Sequence, residues 1–176
     1  MAELSPVMQK FILRWGEMGN AWGVNRTVAQ IYALLYLSAT PLTAEEISDT
    51  LAVARSTVST GLHELQGWGI VKIVHMLGDR RDHFEAMSDV WEMFRAILRE
   101  RKNRELDPLL ATLRESVAEV SKEDSHVQDK LQTMLNSLEA VTTVYAQIDQ
   151  MPTDILVRIA KLGNNFGKVL NKVIKG

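Results

Sequence analysis

Cysteine is absent from the 176 residues, which excludes disulfides, thiolate nucleophiles and cysteine-based zinc or iron–sulfur centres. Proline is scarce. Pro6, Pro41, Pro108 and Pro152 are the only four, and each sits where a helix would begin or a connection would turn. No apolar run approaches the ~18 residues that a membrane span requires, and Met1–Gln9 lack the basic stretch and apolar core of a signal peptide. Neither sign of charge prevails: 20 Lys+Arg face 22 Asp+Glu, a formal net charge of -2, so any surface for nucleic acid must be local. There is no glycine-rich phosphate loop, no G-x-S-x-G elbow and no His-x-x-x-His pair. Of His63, His75, His83 and His126, only His83 has a carboxylate at ligand-like spacing, Glu85. These absences predict a soluble, cytoplasmic protein that is not an enzyme and carries no metal or cofactor.

Apolar residues make up 46% of the chain, enough for a packed core, and they recur mostly at helical spacing. Val7, Met8, Phe11, Ile12, Trp15 and Met18 form one stripe; Val28, Ile31, Leu34, Leu35 and Leu37 form a second within a helix expected over 25–39. After Thr40-Pro41, Thr43 and Glu46 have the spacing of a capping box, opening a short helix with Ile47 and Leu51 inward. Another helix is expected over 55–68, with Val58, Leu62 and Leu65 inward and Gly67 and Gly69 as left-handed stops. The β-branched run 70–77, the polar turn Gly78-Asp79-Arg80-Arg81-Asp82 and the alternating segment 83–87 predict a β-hairpin, the one convincing β feature of the chain. From Ser88, a plausible N-cap, the pattern is helical again. Pro108 restarts a helix, 121–125 is a polar break, and stripes from Val127 to Ile148 and from Ile155 through Phe166, Val169, Leu170 and Val173 complete the chain.

A capped helix, a tight turn, a second helix and a two-stranded ribbon, in that order, outline a winged helix-turn-helix, in which the second helix enters the major groove and the ribbon lies along the backbone. With Val58, Leu62 and Leu65 inward, the second helix turns Arg55, Ser56, Thr57, Ser59, Thr60 and His63 outward. These are short donors and acceptors suited to phosphates and base edges. Arg80 and Arg81 occupy the ribbon turn, where arginine gains from the negative potential of a narrow minor groove. Asp79 and Asp82 are placed to hold the two guanidinium groups. Against this, residues 42–83 hold four Lys+Arg and six Asp+Glu, so non-specific affinity is expected to be weak and Glu45, Glu46 and Asp49 must face away from DNA.

At these residues the chain resembles the MarR-type winged-helix regulators, most closely their GbsR-like branch. The resemblance rests on Leu42-Thr43-Ala44-Glu45-Glu46-Ile47, on Ser56-Thr57-Val58-Ser59 with 65–71, and on the wing stretch 78–86. It continues as Asp89-Val90-Trp91-Glu92-Met93-Phe94 into what resembles the family's linker to its dimer helices. It covers 5–103 well and the tail in outline. Ala54 departs from the pattern, standing where a capping hydroxyl is common. The resemblance implies a dimeric bacterial or archaeal transcription regulator, often a repressor; some GbsR-like members respond to choline or control compatible-solute genes. Carried over by position, Arg55, Ser56, Thr57, Ser59, Thr60 and His63 are recognition-helix contacts, and Arg80 and Arg81 are wing contacts.

Tyr32, Tyr36, Trp68, Trp91 and Tyr145 are the rings available for an effector site near the inferred junction between head and dimer helices. Stacked rings would suit a quaternary ammonium ion by cation–π attraction, whereas packing alone would also use them. The expectation is therefore a mainly α protein with one β-hairpin wing. Residues 1–88 form the DNA-binding head, with the first helix contributing to the dimer, and 89–176 form a helical linker and a dimerisation and effector region. Its partners are operator DNA, a second copy and a small-molecule effector. The alternative is a winged-helix protein–protein interaction module that does not bind DNA, consistent with the acidic head.

Overall fold

Ser5 caps the first helix, its hydroxyl accepting from the Met8 N–H at 3.3 Å while Pro6 occupies the opening position. This is the first element of a computed structural model that describes residues 4–120 and 125–162. These residues fall into two compact units that divide between Glu100 and Arg101.

In the first unit the order is α1 (Pro6–Ala21), α2 (Arg26–Leu37), β1 (Leu42–Thr43), α3 (Ala44–Leu51), α4 (Arg55–Gly67), β2 (Val71–Val74), β3 (His83–Ala86) and α5 (Val90–Arg101). The central element is α2. Val28, Ile31, Tyr32, Leu34 and Leu35 are all buried along it, and Ile12, Ile47, Val58, Leu62, Leu65, Phe84 and Met93 close around them. Each aliphatic side chain removed from water in this way contributes about 1.5–3 kcal/mol before entropy is charged against it. Two glycines set how closely the helices approach. A Cβ on Gly19 would lie 2.5 Å from the Cβ of Ala29, and one on Gly61 would lie 2.7 Å from Cδ1 of Ile31.

The helix-turn-helix follows from local chemistry. Thr43 and Glu46 form the expected capping box: Oε2 of Glu46 accepts from the Thr43 N–H at 2.7 Å, and Oγ1 of Thr43 accepts from the Glu46 N–H at 3.3 Å. The turn into α4 uses Ala52 at φ 52, a left-handed conformation that an alanine adopts only at some cost. The Ser48 hydroxyl braces it by donating to the Val53 carbonyl at 2.7 Å.

The sheet departs from the expected hairpin in two ways. The strands are shorter, four residues each, so 75–82 form a long exposed tip. A third strand is present, because β1 pairs antiparallel with β3 (Leu42 opposite Phe84, Thr43 opposite His83) and the order is β1-β3-β2. Two residues beside Thr40-Pro41 carry too short a pattern to be read as a strand. Of the two glycines expected to stop α4, Gly69 has φ 73, whereas Gly67 belongs to the helix. The cap before α5 is Asp89, not Ser88: Oδ1 of Asp89 accepts from the N–H groups of Trp91 at 2.8 Å and Glu92 at 3.3 Å.

Pro108 does not restart a helix from a loop. Lys102–Leu106 form a π-helical turn that leads directly into α6 (Asp107–Glu119). Proline cannot donate to the carbonyl four residues back and its ring collides there; the widened turn relieves that collision without breaking the helical path. Ion pairs Arg101–Glu105 (2.9 Å) and Lys102–Asp107 (2.7 Å) brace it. In the second unit α6 packs on α7 (Ser125–Asp149) through Leu110, Leu113 and Leu135, with Arg114 bound to Glu139 at 2.8 Å. Residues 153–162 are helical. Most of the polar break at 121–124, and Phe166, Val169, Leu170 and Val173 of the expected last helix, lie outside the described residues.

Candidate nucleic-acid interface

The burial of Val58, Gly61, Leu62 and Leu65 fixes the rotation of α4. Arg55, Ser56, Thr57, Ser59, Thr60 and His63 are exposed, all six as the spacing predicts. At 100° per residue Ser56, Ser59, Thr60 and His63 lie on the outward face, while Arg55 and Thr57 lie on opposite flanks. Thr60 donates its hydroxyl proton to the Ser56 carbonyl at 3.0 Å, which leaves its oxygen lone pairs facing outward. The helix begins without a side-chain cap, since Ala54 occupies that position. Glu45, Glu46 and Asp49 lie on α3, and Glu45 and Glu46 are near enough to the wing to act on the Arg81 charge.

In the wing, the two arginines differ. Arg81 is clamped by Asp79: its Nη2 donates to Oδ2 at 2.6 Å, its Nε to Oδ1 at 3.0 Å, and its backbone N–H to Oδ1 at 2.9 Å. These bonds hold the Asp79 carboxyl well below the usual carboxylate range and push the Arg81 guanidinium up. Nη1 of Arg81 has no partner among the described residues. Arg80, one residue earlier, is exposed and unpaired among them. Asp82, expected to hold an arginine, holds neither. His83 is buried beneath the tip, with Nε2 3.5 Å from Oδ2 of Asp79 and Nδ1 3.1 Å from the Arg81 carbonyl oxygen. Glu46 is also held below its usual range, first by the Thr43 N–H and then by the Thr43 hydroxyl.

The candidate effector rings are only partly brought together. Tyr32 and Tyr36 stack at 6.0 Å between centroids and line an apolar cavity of about 180 Å³ with Phe11, Trp15, Val90 and Met93. The Tyr32 hydroxyl donates to the Met87 carbonyl at 3.1 Å, and burial pushes its pKa up. Trp68 lines a tighter space with Trp15, Trp22 and Phe94. Trp91 is exposed and lines neither, and Tyr145 belongs to the second unit. Phe11 and Trp15 were legible only as a core stripe of α1; their role as cavity walls depends on how α1 meets α2. Among the described residues no group of His, Asp and Glu is arranged to hold a metal ion, and no helix is long and apolar enough to cross a membrane.

An outward polar recognition helix, a braced turn before it and an arginine-tipped ribbon beside it define a winged helix-turn-helix protein, the class that reads duplex DNA. Residues 22–82 match the sequence profile of the MarR family, so over the helix-turn-helix and wing the chain is similar to MarR-type transcription regulators. The HTH-type transcriptional repressor GbsR of Bacillus subtilis (strain 168) is 21% identical over 145 residues, covering 79% of this chain and 80% of that one. A second relative from the same organism, the helix-turn-helix protein YvaV, is 27% identical over 84 residues, about half of each chain (48%). A crystal structure of a transcriptional regulator superposes with a TM-score of 0.64 at 20% identity, covering 82% of this chain and 96% of that one. These relatives are regulators and not enzymes, and they favour DNA reading over a protein-interaction module.

Proposed function

We propose that this chain is a homodimeric repressor whose two heads bind a pseudo-palindromic operator and are released by a small molecule. The observation that carries the reading is the juxtaposition of the exposed Ser56, Ser59, Thr60 and His63 face with a wing whose Arg81 is held in one orientation by Asp79. A guanidinium oriented before binding loses less freedom when it meets a groove. Ser and Thr let the helix approach the groove floor closely, and they hydrogen-bond to base edges or phosphates. Repression is supported by the similarity to GbsR, a transcriptional repressor.

The dimer is supported by the second unit. Among its described residues only Leu110, Leu113 and Leu135 are buried, too few for a helical pair to stand alone. Val127, Met134, Val141 and Ile148, seven residues apart along α7, are 41–56% exposed. An apolar stripe at heptad spacing calls for a facing helix, and a two-fold partner would set two reading helices about 34 Å apart. The Phe11–Trp15–Tyr32–Tyr36 cavity is the effector site in this reading. Its stacked rings and apolar walls suit an organic cation of quaternary ammonium type, which acts by binding one conformation better than the other.

The test is selection of genomic fragments by the purified protein at about 100 mM salt, with Arg81→Ala in parallel. Enrichment of a two-fold sequence, weakened by the variant, is expected. A folded protein that enriches nothing overturns the reading. Thr57→Val with Thr60→Val should shift sequence preference more than non-specific affinity. Choline titrated into the complex should release it, and Tyr36→Ala should blunt that release.

A further inference from the structure

Two residues after Arg81 the chain enters the middle strand of the sheet. His83 opens β3, paired with Thr43 of β1 on one side and Val74 of β2 on the other. Its side chain is 10% exposed, against 26% for Asp79 and 57% for Arg81, so the imidazole is the fixed end of this cluster. Asp79 belongs to the tip, where its N–H donates to the Met76 carbonyl at 3.1 Å and Gly78 turns the chain at φ 85.

The two ring nitrogens of His83 are placed differently. Nδ1 lies 3.1 Å from the Arg81 carbonyl oxygen. That oxygen can only accept, so Nδ1 carries the proton of the neutral ring. Nε2 then turns a lone pair toward Oδ2 of Asp79, 3.5 Å away, longer than the about 2.7–2.9 Å of a charge-assisted bond. A second proton, on Nε2, would set a cationic donor opposite that carboxylate. The same Oδ2 accepts from Nη2 and Nε of Arg81 at 2.6 and 3.1 Å. The remaining charge acting on the ring is Glu46 of α3, whose carboxylate is bound by Thr43, the residue opposite His83 in β1.

We propose that His83 is a proton-sensitive positioning residue for the wing arginine. Its Nδ1–H ties the backbone of the tip to the sheet in both charge states. Protonation of Nε2 adds a bond to Asp79, and through Asp79 it ties the Arg81 guanidinium to the sheet as well. With the ring neutral, Asp79 and Arg81 still hold each other, but the pair is carried by the tip alone. A guanidinium anchored to a rigid strand loses less freedom on binding. The consequence for operator binding rests on the wing meeting DNA. Discrimination between operator and random duplex should then rise as pH falls through the titration of His83.

Imidazole ordinarily changes charge between about pH 5 and 8, so the full chain is compared at about pH 6 and about pH 8 at constant salt. His63 and His75 are exposed and gain charge over the same range, but they remain in every variant, and the difference between variants belongs to His83. On lowering the pH, the ratio of operator to random binding should rise about threefold more in the parent than in His83→Gln. The glutamine amide can donate to Asp79 without titrating. Asp79→Asn, at the exposed tip, should lose the same increment, because a protonated His83 then has no carboxylate to hold. Thermal unfolding confirms the fold of each variant. In the free protein, the Arg81 Nε–H resonance should titrate together with the His83 ring, and should cease to do so in Asp79→Asn. An Arg81 resonance that ignores the His83 titration overturns the proposal even where the operator is bound. Equal pH dependence in the parent and both variants overturns it too. If the resonance follows the ring while no operator is bound, the coupling stands and the DNA reading falls.

Discussion

Asp79 grips Arg81 along one edge of its guanidinium, Nη2 at 2.6 Å and Nε at 3.0 Å, and turns the opposite Nη1 outward. The carboxylate offsets the arginine's charge while fixing its direction. Asp79→Ala should therefore raise affinity for random duplex, because the wing gains net positive charge, and should reduce the ratio of operator to random binding. Competition with unlabelled random DNA measures both. A ratio that stays at the parental value would show that the clamp does not orient a specific contact.

The capping box offers a test of pH dependence. Glu46 is held below its ordinary carboxylate pKa by Thr43. Its contribution is therefore complete above about 4.3, the unfolded value, and is lost as pH falls through the lower folded value. Thr43→Val keeps the shape of a buried side chain and removes the hydroxyl. It should cost about 0.5–1 kcal/mol at neutral pH, the low end for a cap because Glu46 is solvent-exposed. The fall in stability between about pH 5 and 3 should become shallower than in the parent. Urea unfolding across that range reads both effects.

Gly19 and Gly67 should respond to alanine with opposite signs. At Gly19 the new Cβ meets the Ala29 Cβ at 2.5 Å, an atom fixed to the backbone of α2. Overpacking of about 1–3 kcal/mol exceeds the ~1 kcal/mol that alanine gains in a helix, so Gly19→Ala destabilises. Gly67 has nothing within 4 Å and helical backbone, so Gly67→Ala should stabilise by about 0.5–1 kcal/mol. Thermal unfolding of the pair checks the packing of α1 on α2.

Met134→Glu with Val141→Glu places charge on the exposed heptad stripe of α7. Sedimentation should show the dimer dissociating, and operator affinity should fall more than tenfold as the two half-sites cease to be bound together. Dimers that persist would place the two-fold interface elsewhere.

Much of this was legible before any coordinates, and for identifiable reasons. The outward residues of α4 follow from three inward ones, Val58, Leu62 and Leu65, because one helical period ties them together. The Thr43–Glu46 box is a local signature and formed as such. Features that depend on two segments meeting were not legible. β1 is two residues long and exists because β3 pairs with it; the Phe11–Trp15–Tyr32–Tyr36 cavity exists because α1 crosses α2. The turn into α4 was hidden for another reason, since Ala52 takes a conformation whose usual marker is glycine or asparagine. Pro108 suggested an interruption, and a π-helical turn accommodates it instead.

The two helices of the reading motif start differently: α3 has a reciprocal hydrogen-bonded lock, while α4 has Ala54, a methyl group in a backbone conformation (φ -60, ψ 140) that would accept a capping hydroxyl. The leading amides of α4 rely on solvent in the free protein and should be the first in the motif to exchange with deuterium. In the proposed reading, this uncapped turn lies on the element that meets the bases. Ala54→Ser should tighten that turn, raise the melting temperature by the worth of one cap, about 1 kcal/mol, and slow the exchange of the Ser56 and Thr57 amides. Stability forgone at that turn leaves the recognition helix able to adjust its first residues to the sequence it encounters.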